Sequence, residues 1–201
     1  AYAALKDDGS VITWGRDIHL SEYEKWIRKY GADSSPVSDS ISSGVIDIFS
    51  AGDSFAALKD DGSVVSWGNL ATGYYAPRFG GLTVTNSGVI KIVTSTNSSG
   101  GVGKYAALKN DGSVITWGGT RHTYSPYHAV VKTEISSGVK DLFSTDSAFA
   151  ALKDDGSVHT WTAAPSNLDN LTPPETSDLI SSGVKEIFTN SLSFFALKDD
   201  G

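Results

Sequence analysis

The chain has 201 residues, no cysteine, no methionine and a formal net charge of -7 at pH 7. The lack of cysteine excludes disulfides, thiolate metal sites and cysteine nucleophiles. The acidic balance argues against a nucleic-acid partner, because phosphates attract Lys and Arg. No apolar run approaches the roughly 20 residues of a membrane-spanning helix, so we expect no membrane insertion.

The first predicted element is a β-hairpin, and the same hairpin returns along the chain. Its sequence "AALKDDGSVITWG" (3–15) recurs as "AALKDDGSVVSWG" (56–68), "AALKNDGSVITWG" (106–118), "AALKDDGSVHTW" (150–161) and "FALKDDG" (195–201). Asp-Gly supplies the positive φ angle that a tight hairpin turn needs. Successive copies lie about 44 to 53 residues apart, a period typical of propeller blades or helical-pair arrays. The Gly, paired Asp and β-branched residues favour blades.

A further strand is predicted ahead of each later hairpin. Its copies share a Ser-Gly-Val entry and read "SSGVIDIFS" (42–50), "NSGVIKIVT" (86–94), "SSGVKDLFS" (136–144) and "SSGVKEIFT" (181–189). Ala-Ala in the middle strand leaves room only for close neighbours on both faces, which suits sheets stacked around an axis. Each unit therefore consists of strand, short loop, strand, tight turn, strand and a long variable connection.

We treat the chain as a single repeat domain, 1–201, and divide it into units that begin at the Ser-Gly strand. The predicted units are 1–41, 42–85, 86–135 and 136–180, with a partial unit 181–201. The start "YAALKDDG" and the end "FFALKDDG" supply the same strand twice, so closure into four blades would leave one copy redundant. We therefore expect about four blades that form a fragment of a larger ring.

The pattern F-A-A-L-K-x-D-G-S-V-x-x-W-G resembles the repeats of the regulator-of-chromosome-condensation superfamily. It is most similar to the bacterial branch, which includes β-lactamase-inhibitory propeller proteins and long repeat-bearing surface proteins. The resemblance covers nearly the whole chain and implies an all-β, commonly seven-bladed β-propeller. It also implies a bacterial protein that is secreted or displayed at the cell surface. Eukaryotic members usually carry a Gly-rich L-G-x-G stretch after Trp-Gly, where this chain has "GRDIHL", "GNLATG" and "GGTRHT".

The residues that could serve catalysis or metal binding also have simple structural interpretations. The Asp pairs at the hairpin turns lack the alternating oxygen ligands of a calcium loop, so we interpret them as turn formers. The recurrent Trp14, Trp67, Trp117 and Trp161 are predicted to be interblade core. The chain has four histidines, and their spacing is not that of a metal site. They are His19, His122, His128 and His159. No nucleophile elbow, phosphate loop or zinc-binding helix is present. We predict no catalytic, cofactor-binding or metal-binding residue, and no enzyme.

The variable connections are the places where a rigid scaffold usually carries function. In the first, Ser21 and Glu24 form a capping box that predicts a short helix over 22–30. The next two hold "GYYAPRFGG" and "TRHTYSPYH", which mix Tyr, Arg and Gly, residues favoured at binding surfaces. The predicted partner-binding residues are Trp26, Tyr74, Tyr75, Arg78, Tyr124 and Tyr127. The alternative is that these loops only cover their own blades.

These observations predict a non-enzymatic scaffold or protein-recognition module that uses no cofactor and binds a protein. Two regulatory alternatives remain: an inhibitor that binds an enzyme through the loops, and a nucleotide-exchange regulator of a small GTPase. The missing Gly-rich segment counts against the second. An enzyme with its site at the ring centre would need a convergent cluster of acids, bases or metal ligands, which the sequence does not show.

Overall fold

The computed structural model describes residues 1–15, 33–72, 82–96, 103–121, 132–162 and 179–201. Within these ranges the chain forms β-strands and one 3-10 helical turn, Ser35–Val37. The helix predicted over 22–30 lies outside the described residues and stays a prediction. No described helix is long and apolar enough to cross a membrane.

The described strands form five antiparallel sheets, which we call blades 1 to 5 in chain order. Blade 1 contains β1 (Tyr2–Leu5) and β2 (Val11–Trp14). Blade 2 contains β3 (Val45–Ala51), β4 (Ser54–Lys59), β5 (Val64–Gly68) and β7 (Leu82–Thr85), and blade 3 contains β8 (Val89–Ser95), β9 (Lys104–Lys109), β10 (Val114–Gly118) and β12 (Lys132–Ile135). Blade 4 contains β13 (Val139–Ser144), β14 (Ala148–Lys153) and β15 (Val158–Thr162), and blade 5 contains β16 (Val184–Thr189) and β17 (Phe194–Lys198).

Two features of this topology differ from the sequence-based expectation. The strands β7 and β12 lie in stretches that we had assigned to variable connections, and each completes a four-stranded blade. A separate parallel pair joins β6 (Ala71–Thr72) to β11 (Thr120–Arg121). The predicted boundaries of the repeat units stay a prediction.

The hairpin turns form because each one is fixed by its own side chains. In four of the turns, the Asp directly before the Gly accepts a hydrogen bond from the backbone N–H of the Ser two residues later. These bonds are Ser10–Asp8 at 2.9 Å, Ser63–Asp61 at 2.8 Å, Ser113–Asp111 at 2.9 Å and Ser157–Asp155 at 2.9 Å. Such local bonds are the mechanism by which Asp favours turns. The interpretation of the Asp pairs as turn formers is therefore confirmed in four copies.

The turn glycines also join neighbouring blades. The carbonyl of Gly62 in blade 2 accepts a hydrogen bond from Val89 N–H of blade 3 at 3.0 Å. Gly88, at the entry to blade 3, accepts one from Asn110 N–H of that same blade at 2.8 Å. A Cβ added to Gly62, whose φ is +74°, would lie 2.7 Å from the backbone nitrogen of Gly88. The first bond recurs at the other junctions as Val45–Gly9, Val139–Gly112 and Val184–Gly156. We call this recurrent bond between neighbouring blades the glycine latch.

The core lies between the blades. Four apolar clusters each combine residues of two consecutive blades, so the blades stack face to face in chain order. Paired alanines such as Ala106 and Ala107 are fully buried, which allows the close approach. Trp67, Trp117 and Trp161 are buried as predicted, but Trp14 on blade 1 is half exposed. The stacked antiparallel blades form a partial β-propeller, and the predicted all-β fold class is confirmed.

Candidate recognition surface

The two edges of the stacked blades are built differently. Because the strands are antiparallel, every Asp-Gly turn lies at one edge, which we call the hairpin rim. The opposite edge, which we call the loop rim, is where β2, β5, β10 and β15 end. The first strand of each of blades 2 to 5 also ends at the loop rim and leads there into the second strand of its blade. These first strands are β3, β8, β13 and β16.

The loop rim is where the long connections begin. The four long connections follow Gly15, Thr72, Arg121 and Thr162. Each of these residues lies at the end of a hairpin's second strand or shortly after it, and these strands are β2, β5, β10 and β15. Two of these departures are fixed side by side. In the parallel pair of β6 and β11, Thr120 lies opposite Ala71 and Arg121 lies opposite Thr72. The second and third connections therefore start as neighbours that run in the same direction.

Short turns at the loop rim are hydrogen bonded from blade to blade. Ser95 Oγ donates to the carbonyl of Asp146 at 2.8 Å, and Asp146 N–H donates to the carbonyl of Ser191 at 2.9 Å. Within blade 2, Asn69 N–H donates to the carbonyl of Asp53 at 2.9 Å. These bonds hold the strand ends of consecutive blades at fixed positions, so the loop rim has a rigid base.

A buried aromatic layer supports this base. Tyr105 stacks on Trp117 with ring centroids 5.0 Å apart, and its hydroxyl is 2.8 Å from Ser54 Oγ of the preceding blade. Trp117 Nε1 donates to Ser66 Oγ, also of the preceding blade, at 3.2 Å. Burial raises the pKa of the Tyr105 hydroxyl, against the opposing effect of its bond to Ser54. Every buried side-chain nitrogen or oxygen of the described residues has a hydrogen-bond partner.

The described acidic residues with shifted pKa values lie in the hairpin turns. Hydrogen bonds from the neighbouring Ser lower the pKa of Asp8, Asp61, Asp111 and Asp155, all at the hairpin rim. Between the first strands of two neighbouring blades, Lys91 of blade 3 forms a 2.6 Å ion pair with Asp141 of blade 4. In the described part of the chain, no group of three or more His, Asp or Glu residues could hold a metal ion.

The predicted partner-binding residues fall in the connections themselves. Trp26, Tyr74, Tyr75, Arg78, Tyr124 and Tyr127 all lie outside the described residues, and so do His19, His122 and His128. Their roles stay predictions. His159 is described: it is exposed on β15 and stacks against Trp161 with ring centroids 5.7 Å apart. Its counterparts Val65 and Ile115 are buried.

Sequence reasoning missed the short β6–β11 pair that places two connections together. Each strand contributes only two residues, "AT" and "TR", and such a stretch carries no periodicity that could reveal a strand. It also missed the Ser54–Tyr105 contact. The sequence carried a signal for that contact. The hairpin at 54–59 begins with Ser-Phe, and in the next copy along the chain Tyr105 replaces that Phe.

No family model matches the chain, and no curated protein matches it. Solved structures do resemble it. The human protein WBSCR16 is 19% identical, with a TM-score of 0.45 over 78% of this chain and 46% of that chain. Prp20p of Saccharomyces cerevisiae, whose structure is described with its binding to Gsp1p and histones, is 17% identical, with a TM-score of 0.44 over 80% of this chain and 42% of that one.

A third structure is yeast RCC1 (Prp20) bound to Kap60, at 15% identity and a TM-score of 0.43, over 66% of this chain and 37% of that chain. The chain thus spans less than half the length of each of these three structures. The resemblance of the repeats to the regulator-of-chromosome-condensation superfamily stays a prediction from the sequence. The bacterial branch stays a prediction.

Proposed function

We propose that this chain is a non-enzymatic recognition module that binds a protein partner through the connections of the loop rim. The observation that carries the proposal is the parallel pair of β6 and β11. It sets the starts of two Tyr-containing connections side by side, so that both can contact one partner.

The contrast between scaffold and connections supports this function. The blades are held together by the glycine latches, the buried aromatic layer and the hydrogen-bonded turns. The connections 73–81 and 122–131 each hold two Tyr and one Pro, and the first also holds three Gly. Tyr gives a large contact area at a small entropic cost, which is why binding loops on rigid scaffolds use it.

We further propose that the module belongs to a bacterial secreted or cell-surface repeat protein. The support is the resemblance of the repeat to that of long surface proteins, together with the acidic and cysteine-free composition. Fractionation of the source cells with an antibody against the chain tests this point. Signal confined to the cytoplasmic fraction would contradict it.

The recognition function is tested by comparing a variant of the loop rim with a control variant of the hairpin rim. Tyr74, Tyr75, Tyr124 and Tyr127 are replaced together by Ser, and the hairpin-rim control replaces Asp60 and Asp154 by Ser. Proteins from the cell surface and medium of the source culture are captured on each immobilised chain. A candidate partner is any protein that the wild-type chain retains, and its retention by each of the two variants is then compared.

The affinity of the purified partner is then measured by calorimetry. We expect the loop variant to bind at least tenfold more weakly, because several Tyr contacts are lost, while its melting temperature stays unchanged. A partner that binds the loop variant normally but loses affinity for the hairpin-rim control would place recognition at the opposite rim.

The nucleotide-exchange alternative has its own assay. Release of a fluorescent nucleotide from purified small GTPases should not accelerate when the chain is added. Acceleration would favour the exchange-type regulator over the recognition module proposed here.

A further inference from the structure

The middle of the chain has the opposite charge from the rest. Residues 62–133, which lie between Asp61 and Glu134, hold six basic residues and one acidic residue, a net charge of +5. The other residues of the chain hold ten basic and 22 acidic residues, a net charge of -12. A difference of sign between two parts of one chain indicates a charged interaction surface.

Two of the six basic residues have a carboxylate beside them, away from the loop rim. Lys109 forms a 3.8 Å ion pair at the hairpin rim with Asp111, the one acidic residue of the segment. Lys91 forms its ion pair with Asp141 between the first strands of blades 3 and 4. The other basic residues of the segment are Arg78, Lys104, Arg121 and Lys132.

The strands bring the described members of this set to the loop-rim end of blade 3. Lys104 is the first residue of β9 and lies opposite Gly118, the last residue of β10. Arg121 ends β11, the short strand that follows β10. Lys132 is the first residue of β12, which runs from the loop rim back toward the hairpin rim. We call Lys104, Arg121 and Lys132 the cationic end of blade 3.

Lys104 is the buried part of the cationic end. It is 6% exposed and is the only charged residue among the buried residues of the described ranges. The same position holds Ala or Ser in the other four blades. Its aliphatic stem lies against Gly119, since a Cβ added to Gly119 would lie 2.5 Å from Lys104 Cγ. A buried ammonium acts through a medium of lower dielectric constant than water, so its charge contributes strongly to the potential at this rim.

The adjoining segments of blade 3 supply no carboxylate. The connections 73–81 and 122–131 and the turn 96–103 between β8 and β9 contain no Asp or Glu, and 73–81 adds Arg78. Carboxylates occur instead in the loop-rim turns of the two flanking blades, as Asp53 in blade 2 and Asp146 in blade 4. Anionic groups are therefore favoured at blade 3 and disfavoured on either side of it.

We propose that the partner of the loop rim is a protein with an acidic surface, and that the cationic end of blade 3 binds that surface. This inference rests on the recognition function proposed above and adds the chemical class of the partner. Opposite charges across an interface speed the encounter and exclude wrong partners, while the Tyr residues of the two connections supply contact area.

The charge of the whole chain favours an acidic protein over a nucleic acid. Proteins that bind DNA strongly commonly make about 6 to 10 phosphate contacts. The cationic end has three basic residues, with Arg78 in the adjoining connection. The net charge of -12 on the rest of the chain repels a long polyanion. A compact group of carboxylates on a folded protein can contact blade 3 without approaching the acidic hairpin rim.

The test uses two double variants that change the net charge equally. Arg121→Glu with Lys132→Glu reverses two charges at the cationic end. The matched control is Lys140→Glu with Lys185→Glu, because both lysines are exposed and lie near the start of β13 and β16, toward the hairpin rim. Lys104 is left in place, since reversing a buried charge would unfold the chain. Circular dichroism and melting curves verify that each variant is folded.

The acidic probe is poly-L-glutamate, and its affinity for each chain is measured by fluorescence anisotropy at about 20 mM and about 200 mM salt. We expect the wild type and the control to bind it at low salt and to bind more weakly as the salt rises. The charge-reversal variant should bind about tenfold more weakly at low salt. The milder variant Arg121→Gln with Lys132→Gln should lie between the two.

Three results would overturn the proposal. The wild type could fail to bind poly-L-glutamate at low salt, which would show that blade 3 does not take carboxylates. The charge-reversal variant and the control could bind equally, which would place the binding elsewhere. A DNA duplex could bind more tightly than poly-L-glutamate and lose affinity for the charge-reversal variant, which would assign the cationic end to nucleic acid.

The same variants separate this proposal from the recognition function. A captured partner that is lost by the four-Tyr variant but kept by the charge-reversal variant would leave the recognition function standing and show that the acidic class is wrong. If the charge-reversal variant loses poly-L-glutamate while the four-Tyr variant keeps every captured protein, the cationic end stands and recognition through the Tyr residues is wrong.

Discussion

The hairpin rim and the loop rim are formed by the same strands, but their sequences obey opposite constraints. At the hairpin rim each turn repeats Asp-Gly-Ser, because the Gly lies against the next blade and the Asp fixes the turn. At the loop rim the connections share almost no residues, while the strand ends beneath them are buried and hydrogen bonded. The comparison teaches that the repeated residues of the hairpin rim record contacts between blades.

The largest expected effect tests whether the loop rim depends on the buried layer beneath it. Trp117→Ala removes a buried indole and its hydrogen bond to Ser66, and we expect a loss of about 4 kcal/mol in the free energy of unfolding. Trp14→Ala, at the half-exposed counterpart, should cost about 1 kcal/mol. Urea unfolding at low protein concentration measures both. Equal losses would show that the internal junctions do not carry the stability.

The next effect tests the hairpin rim directly. Gly62→Ala forces a side chain into a positive φ and against the backbone of Gly88, so we expect a loss of about 3 kcal/mol. Gly201→Ala is the matched control, because its φ is also positive but nothing lies within 4 Å of its added Cβ. That change should cost about 1 kcal/mol. If chemical denaturation gives the same value for the two variants, the glycine latch does not constrain the turn.

A smaller effect concerns the hydroxyl of Tyr105. Tyr105→Phe should cost about 1 kcal/mol, because Ser54 loses one partner but still donates to the carbonyl of Ala51. The pKa of this Tyr is raised on folding, so its contribution to stability is complete below the unfolded value near pH 10 and is lost as the pH rises through the folded value. An ultraviolet titration should show one fewer tyrosine ionising near pH 10 in the folded chain than in urea.

The smallest effect concerns the carboxylates of the turns. Hydrogen bonds from Ser113 lower the pKa of Asp111 in the folded chain. Its stabilising contribution is therefore present above the unfolded pKa of about 4 and is lost as the pH falls below it. NMR titration of the side-chain carboxyl should give a midpoint below that of the unfolded chain. Asn110→Asp, which restores the residue of the other copies, should leave both stability and this midpoint nearly unchanged.

The sequence predicted the parts of the fold that rest on local chemistry. Asp-Gly at the turns and the alternation of "SVITW" specify the hairpins, and Ser-Gly-Val specifies the strand before them. The strands β7 and β12 were missed because "LTVT" and "KTEI" share no pattern, and they are held by pairing to β5 and β10. Their stability comes from tertiary contacts, which no short window of sequence contains.

The candidate site was predictable only in part. Sequence could mark the Tyr-rich connections as variable and aromatic, and the structure shows that two of them start together. Which residues contact a partner depends on how those segments fold, and Trp26, Tyr74, Tyr75, Arg78, Tyr124 and Tyr127 remain predictions.

The glycine latch uses only backbone atoms, the carbonyl of one blade's turn glycine and the N–H of the next blade's valine. A gene built from such units can gain or lose one by unequal recombination, and every newly adjacent pair of blades still presents the same donor and acceptor.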